Sequence, residues 1–113
     1  MENLILLYKE EVLIAKLLSE IDHHSAVSVR ERIDSALYKE LPKTLIFDLS
    51  EVNFMDSSGL GLVLGRYAKA KEIGTAVQIK NPSKRTEKIF RMAGTDKIIK
   101  ISHDKEINNE ANK

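Results

Sequence analysis

The chain has 113 residues, 42% of them hydrophobic, and no cysteine, so we expect one globular domain over residues 1–113 without disulfides, thiolate zinc sites or cysteine nucleophiles. Eighteen basic side chains against 17 acidic ones give a formal net charge of +1, which argues against nucleic-acid binding because that requires a clustered basic excess. No basic region precedes the first apolar run, and no run approaches the roughly 20 residues of a membrane span, which predicts a cytoplasmic protein that does not contact the membrane.

Two short apolar runs, 3–8 and 12–18, predict an opening β-hairpin, although no Asn-Gly or Asp-Gly turn signal separates them. Asp22 then caps a predicted helix over 23–39, whose apolar residues recur at helical spacing. Four charged residues of this helix are expected on the side opposite the apolar residues, facing solvent: Arg30, Glu31, Arg32 and Asp34.

The central stretch begins as a buried strand over 44–49, passes through a polar loop, and becomes a long helix that ends near Gly74. The remaining predicted elements are a strand over 76–80, a helix over 84–93 capped by Ser83, a strand over 98–101, and a polar tail from 103. Helices that alternate with apolar strands imply crossover connections. We therefore expect an α/β fold with a small, mostly parallel mixed sheet and helices mainly on one face.

The segment Asp56-Ser57-Ser58-Gly59 stands where the central helix should start. Asp and Ser are favoured helix caps because their side-chain oxygens accept hydrogen bonds from unpaired backbone N–H groups. The first turn also carries the positive end of the helix dipole, which suits an anion such as phosphate. We therefore expect a serine hydroxyl here to be held in place and exposed.

Three glycines, Gly59, Gly61 and Gly65, invite comparison with nucleotide-binding loops. The dinucleotide fingerprint requires a glycine where this chain has Leu64, and the Gly-Lys-Ser/Thr of a P-loop is absent. Glycine costs about 1 kcal/mol relative to alanine inside a helix, so it needs a compensating role. Gly61 and Gly65 are better explained as a smooth helical face for close packing or for a partner.

The residues argue against a hydrolase and against a metal site. A nucleophile elbow has the pattern Gly-x-Ser-x-Gly, but here Met55 and Asp56 precede the serines. No histidine has an evident orienting partner, so a catalytic triad is not expected. His23 and His24 point about 100° apart on a helix and lack a spaced third ligand, which favours solvated side chains over a metal site.

The basic residues of the central helix are interpreted as a solvated face that can also meet an acidic partner: Arg66, Lys69 and Lys71.

The segment 54–61, Phe-Met-Asp-Ser-Ser-Gly-Leu-Gly, followed by Leu-Gly-Arg-Tyr at 64–67, closely resembles the anti-sigma factor antagonists of the STAS domain family. Segments 20–24 and 90–94 look like the other marked segments of that family, and the resemblance runs from the first strand to about Ile101. The Asp-His-His and Leu-Gly-Arg-Tyr details are most similar to the sporulation branch, which antagonises the anti-sigma-F factor.

The resemblance implies a STAS-type fold and a monomeric protein without catalytic activity or cofactor. In the family, the unphosphorylated antagonist binds an anti-sigma factor that is also a serine kinase with bound ATP or ADP, and this frees the sigma factor. The kinase phosphorylates the first serine of the motif, here Ser57, and a PP2C-type phosphatase reverses the modification. The resemblance implies no metal site, and it implies these partner-binding residues: Asp22, His23, Asp56, Ser58, Gly59, Gly61 and Arg66.

Two positions depart from the family pattern. Ser19 stands where a glycine often precedes the glutamate at 20, which affects the turn leading to Asp22, and Val27 stands where a polar residue is usual. The alternative function is a STAS scaffold that builds an assembly without a reversible switch at Ser57. A small serine hydrolase is kept only as a control.

Overall fold

The structure is a computed structural model that describes residues 3–104. Within that range, five strands form one sheet, and three α-helices and a single 3-10 turn connect them. The strands are β1 (Leu4–Lys9), β2 (Val12–Leu17), β3 (Thr44–Asp48), β4 (Ala76–Lys80) and β5 (Lys100–Ser102). The helices are α1 (His23–Glu40), α2 (Ser57–Glu72) and α3 (Lys84–Met92).

The strands lie side by side in the order in which they occur along the chain. β1 and β2 form an antiparallel hairpin, and each later strand pairs in parallel with the strand before it. Crossovers between parallel strands are right-handed in nearly all proteins, so crossovers that all advance in the same direction place all three helices on one face of the sheet. The predicted mixed sheet, with a hairpin at its start and helices on one face, is confirmed.

The core lies between this face of the sheet and the helices. Successive strand residues point to opposite faces, and in β2 and β3 buried residues alternate with half-buried ones. Two rows of buried side chains cross the sheet in register: Leu13, Leu45 and Val77, then Ala15, Phe47 and Ile79. The helices contribute Val29, Ile33, Leu37, Leu62, Val63, Ala70 and Phe90 to this core.

The hairpin turn lacks the residues that usually mark one. Lys9 pairs with Val12, so Glu10 and Glu11 form a two-residue turn, and both have positive φ, 53° and 67°. Positive φ at both central positions is the geometry of a type I′ turn, which normally selects Asn or Gly. Pairing of the two apolar strands therefore imposes a turn that the glutamates themselves do not favour.

The predicted boundary of the last strand was wrong. Residues 95–97 form a 3-10 turn, in which the carbonyl of Thr95 accepts hydrogen bonds from the N–H groups of Ile98 and Ile99. Gly94 enters this turn with a φ of 77°, and β5 starts only at Lys100.

Of the polar tail predicted from residue 103, residues 105–113 lie outside the described range. No helix in the described range is long and apolar enough to cross a membrane.

Candidate functional site

Helix α2 begins at Ser57, and its cap is Asp56. Oδ1 of Asp56 accepts hydrogen bonds from the backbone N–H groups of Ser58 and Gly59, at 2.9 and 3.4 Å. Ser57 is therefore the first helical residue and not the cap, and it is exposed. Among residues 3–104, no side chain or backbone group makes a hydrogen bond with its hydroxyl. That hydroxyl is available for chemistry because it has no capping role.

The loop that leads to Ser57 is held by both neighbouring loops. The backbone N–H of Asn53 donates to Oε2 of Glu20 at 3.1 Å, and the carbonyl of Asn53 accepts from the hydroxyl of Ser83 at 2.7 Å. Val52 and Met55, on either side, are buried in the core. Hydrogen bonds and apolar anchors together fix the position at which α2 starts.

The start of α1 has an equally defined cap. Oδ1 of Asp22 accepts from the N–H of Ser25 at 2.8 Å, and the N–H of Asp22 donates to the hydroxyl of Ser25 at 3.1 Å, which completes a capping box. The hydrogen bond from the Ser25 N–H lowers the pKa of Asp22 below its ordinary value.

Ser19 is not among the residues with positive φ, so the turn before Asp22 does not require the glycine that is usual in the family at position 19.

A groove of about 340 Å³ runs between α1 and α2 and has Ser57 on its wall. The two helices run in the same direction because both connect parallel strands. Three residues of α1 and six of α2 line the groove: His23, Ala26, Arg30, Ser57, Ser58, Gly61, Leu62, Gly65 and Arg66. Four of the predicted partner-binding residues, His23, Ser58, Gly61 and Arg66, therefore lie together here with Ser57. Asp22 and Asp56 cap the two helices that form its walls, and Gly59 is buried in the first turn of α2.

Gly61 and Gly65 leave the groove open. Apart from its chain neighbours and the nearby backbone of its own helix, a Cβ atom added at either position would have no heavy atom of residues 3–104 within 4 Å. The close packing within the chain that was one explanation for these glycines is therefore wrong. Gly59 differs, because a Cβ there would collide with the buried side chain of Met55. Gly59 is needed by the fold, whereas Gly61 and Gly65 widen a surface groove.

Arg66 does not lie on a solvated face, contrary to the expectation from the sequence. Its side chain is 5% exposed, and its Nε lies 2.7 Å from Oδ1 of Asp34 on α1. Neither atom has a hydrogen bond in the described range, so the contact is an ion pair without a directed hydrogen bond. Burial lowers the pKa of Arg66, an effect that the charge of Asp34 opposes. Whether Arg66 also contacts a partner stays a prediction.

Arg30 was also expected on the solvent side of α1, and it is exposed, but it lines the groove. Its positive charge contributes to lowering the pKa of Arg66, which places the two guanidinium groups near each other. Within residues 3–104, no ion pair or hydrogen bond of Arg30 is found. Arg30 lies one helical turn before Asp34 and therefore on the side of α1 that faces α2. Nothing in the sequence alone indicates which side of α1 that is.

Two other features do not form a site with Ser57. His23 lies in the groove but makes no hydrogen bond with the Ser57 hydroxyl in the described range, and no group of three or more His, Asp or Glu there is arranged to bind a metal. A depression of about 460 Å³ is lined by residues of α3 alone: Lys84, Glu87, Lys88, Arg91 and Met92. It is larger than the groove, but a single helix supplies no second wall to hold a partner.

Comparisons with known proteins identify the family and the fold. Residues 4–106 match the STAS domain family. The anti-sigma F factor antagonist of Lysinibacillus sphaericus is 36% identical over 84 residues, which cover 74% of this chain and 72% of that protein. The structure of the anti-sigma factor antagonist SpoIIAA in its unphosphorylated form superposes with a TM-score of 0.77 at 28% identity and covers 96% of both chains. The phosphorylated form of the Bacillus cell fate determinant SpoIIAA gives a TM-score of 0.71 at 28% identity and covers 96% of this chain and 98% of that one.

Proposed function

The chain belongs to the STAS domain family, and we propose that it is an anti-sigma factor antagonist whose binding is switched off by phosphorylation of Ser57. It is a regulatory binding protein and not an enzyme. One observation carries the proposal: Ser57 has an exposed hydroxyl that makes no hydrogen bond with residues 3–104, on the wall of a groove that Gly61 and Gly65 leave open. The same residue is thus accessible to a kinase and adjacent to the space that a partner would enter.

The partner in this proposal is an anti-sigma factor that is also a serine kinase and carries ATP or ADP. The unphosphorylated chain binds it through the groove and the capped ends of α1 and α2, and the sigma factor is released. The residues proposed to make the contact are Asp22, His23, Asp56, Ser58, Gly59, Gly61 and Arg66. For the buried members, Gly59 and Arg66, the contribution is to shape the groove walls.

The covalent step is an ordinary phosphoryl transfer. Oγ of Ser57 attacks the γ-phosphorus of the kinase-bound ATP, ADP leaves, and the hydroxyl proton is lost to solvent or to a kinase base. A PP2C-type phosphatase then adds water across the phosphate ester, which restores the hydroxyl and releases inorganic phosphate. The chain itself supplies only the nucleophilic oxygen, on a helix start whose backbone the Asp56 cap holds in place.

The phosphate acts on binding and not on folding. It adds a charge of about −1.5 to −2 at neutral pH. The first turn of α2 tolerates a negative charge, so the domain stays folded. A partner surface built around a neutral serine beside Asp56 would instead meet a bulky anion. Since each 1.4 kcal/mol is tenfold in affinity, a penalty of a few kcal/mol is enough to release the partner.

The sporulation sigma-F factor is the sigma factor that we propose to be controlled. The support is the Asp-His-His and Leu-Gly-Arg-Tyr segments, together with the anti-sigma F antagonist among the relatives. This role implies a monomeric protein that works in the cytoplasm, where sigma factors bind RNA polymerase.

The test is a reaction of the purified chain with its anti-sigma factor and ATP, read by peptide mass spectrometry. We expect one phosphate, located on Ser57 in the unmodified sequence and in Ser58→Ala, and none in Ser57→Ala. Phosphate on another residue in Ser57→Ala would contradict the assignment. Large particles in size-exclusion chromatography, together with no phosphate on Ser57, would instead favour the STAS scaffold.

A further inference from the structure

The groove between α1 and α2 contains two arginines, and only one of them has a carboxylate partner within residues 3–104. Arg66 is paired with Asp34, 2.7 Å away. Arg30 is exposed, lines the same groove as Ser57, and forms no ion pair in that range. Its positive charge contributes to lowering the pKa of Arg66, which lines the same groove. Arg30 is therefore the cation of this groove that remains available for an anion.

A phosphate on Ser57 would not find its counter-charge at the start of its own helix. Oδ1 of Asp56 already accepts from the N–H groups of Ser58 and Gly59, two of the free donors of the first turn. The Asp56 carboxylate also lies one residue from the phosphate and repels it. The phosphate is therefore better stabilised by a cation across the groove than by the cap.

The spacing of the helices brings Arg30 within reach. Asp34 contacts Arg66, so Arg30, one turn before Asp34, lies level with Leu62. Ser57 lies five residues before Leu62, about 7.5 Å along the axis at 1.5 Å per residue. Side chains in a helix lean toward its N-terminus, so the Arg30 side chain leans toward the end of the groove at which α2 begins. Both side chains line the same groove, and an offset of about 7.5 Å along the axis is within the combined length of an extended arginine and a phosphoserine.

We propose that the phosphate on Ser57 is captured by the guanidinium group of Arg30 across the α1–α2 groove, as an internal ion pair. The inference rests on the proposed phosphorylation of Ser57. A charged hydrogen-bonded bridge between the two helices lies over Gly61 and fills the opening that the glycines provide. Phosphorylation then closes the partner-binding groove as well as adding charge to its rim.

The experiment does not need the kinase. Phosphoserine is incorporated at position 57 during translation, and the phosphate is titrated by ³¹P NMR in the full chain. A nearby cation favours the dianion, so the titration midpoint should lie at least about 0.5 pH unit lower in the wild-type sequence than in Arg30→Gln. Arg30→Lys should retain part of the effect, because it keeps the charge but not the bidentate geometry.

Lys71→Gln is the matched control, since it removes a positive charge from an exposed position of α2 that does not line the groove. Its midpoint should equal that of the wild-type sequence. Equal midpoints in the wild-type sequence and in Arg30→Gln would overturn the internal pair, and so would an equal change in Lys71→Gln. These results are independent of the proposed function, because they require no binding of the anti-sigma factor.

Discussion

Nε of Arg66 lies 2.7 Å from Oδ1 of Asp34, and this contact joins α2 to α1 along the groove that contains Ser57. Both side chains are largely removed from solvent, at 5% and 19% exposure. A buried ion pair contributes little net stability, but it leaves an uncompensated charge when one partner is lost. The arginine of the Leu-Gly-Arg-Tyr segment therefore links the two walls of the groove.

The first prediction concerns this pair. Asp34→Ala leaves the buried guanidinium of Arg66 without a counter-charge and should lower the free energy of unfolding by about 3 kcal/mol. Urea unfolding followed by circular dichroism measures the change. The double variant Asp34→Leu/Arg66→Met removes both charges and should recover most of the loss. If Asp34→Ala is as stable as the wild-type sequence, the pair does not hold the helices together.

The second prediction concerns the open glycines. Because no other part of residues 3–104 lies within 4 Å of an added Cβ, Gly65→Ala should stabilise the chain by up to about 1 kcal/mol, through helix propensity alone. Gly61→Leu and Gly65→Leu should fold normally but fill the groove and weaken binding to the anti-sigma factor. Thermal unfolding and a pull-down with purified anti-sigma factor measure the two effects. Unchanged binding by both leucine variants would mean that the partner does not enter the groove.

The third prediction separates Gly59 from these two glycines. A methyl group at position 59 collides with the buried side chain of Met55, so Gly59→Ala should destabilise the fold by about 1–3 kcal/mol. The cost of Gly59→Ala should shrink in a Met55→Ala background, because the colliding atoms are gone. Urea unfolding of the four proteins in this double-mutant cycle gives the coupling energy. A coupling of zero would rule out the contact as the reason for the glycine.

Most of the fold could be predicted because its signals are local. The Asp22 and Ser83 caps and the alternation of apolar runs each act over a few residues, and the helices and strands they predict are observed. The Glu10-Glu11 turn could not be predicted, because strand pairing overrides the preference of its residues. Arg66 was placed on the wrong surface because its partner, Asp34, is 32 residues away in the chain and next to it only after folding.

The fourth prediction concerns the pH dependence of the start of α1. The pKa of Asp22 is lowered in the folded chain, so folding favours the carboxylate. The stability that this carboxylate contributes is fully present above the pKa of Asp22 in the unfolded chain. It is lost as the pH falls through the lower pKa of the folded chain. Hydrogen exchange at the Ser25 amide should therefore gain protection from acid to neutral pH, once corrected for intrinsic rates. Asp22→Asn caps without a titrating group and should show no such gain. The same gain in Asp22→Asn would assign the effect to another residue.

The central claim is that phosphate on Ser57 decides whether the chain binds its anti-sigma factor. The most direct measurement is calorimetric titration of the purified anti-sigma factor, with ADP bound, by three proteins: the unmodified chain, the chain with phosphoserine at 57, and Ser57→Ala. Since Asp56 and not Ser57 caps α2, Ser57→Ala should bind as tightly as the unmodified chain. The phosphorylated chain should bind at least about a hundredfold more weakly, equivalent to about 2.7 kcal/mol. Equal affinities of the phosphorylated and unmodified chains would contradict the account.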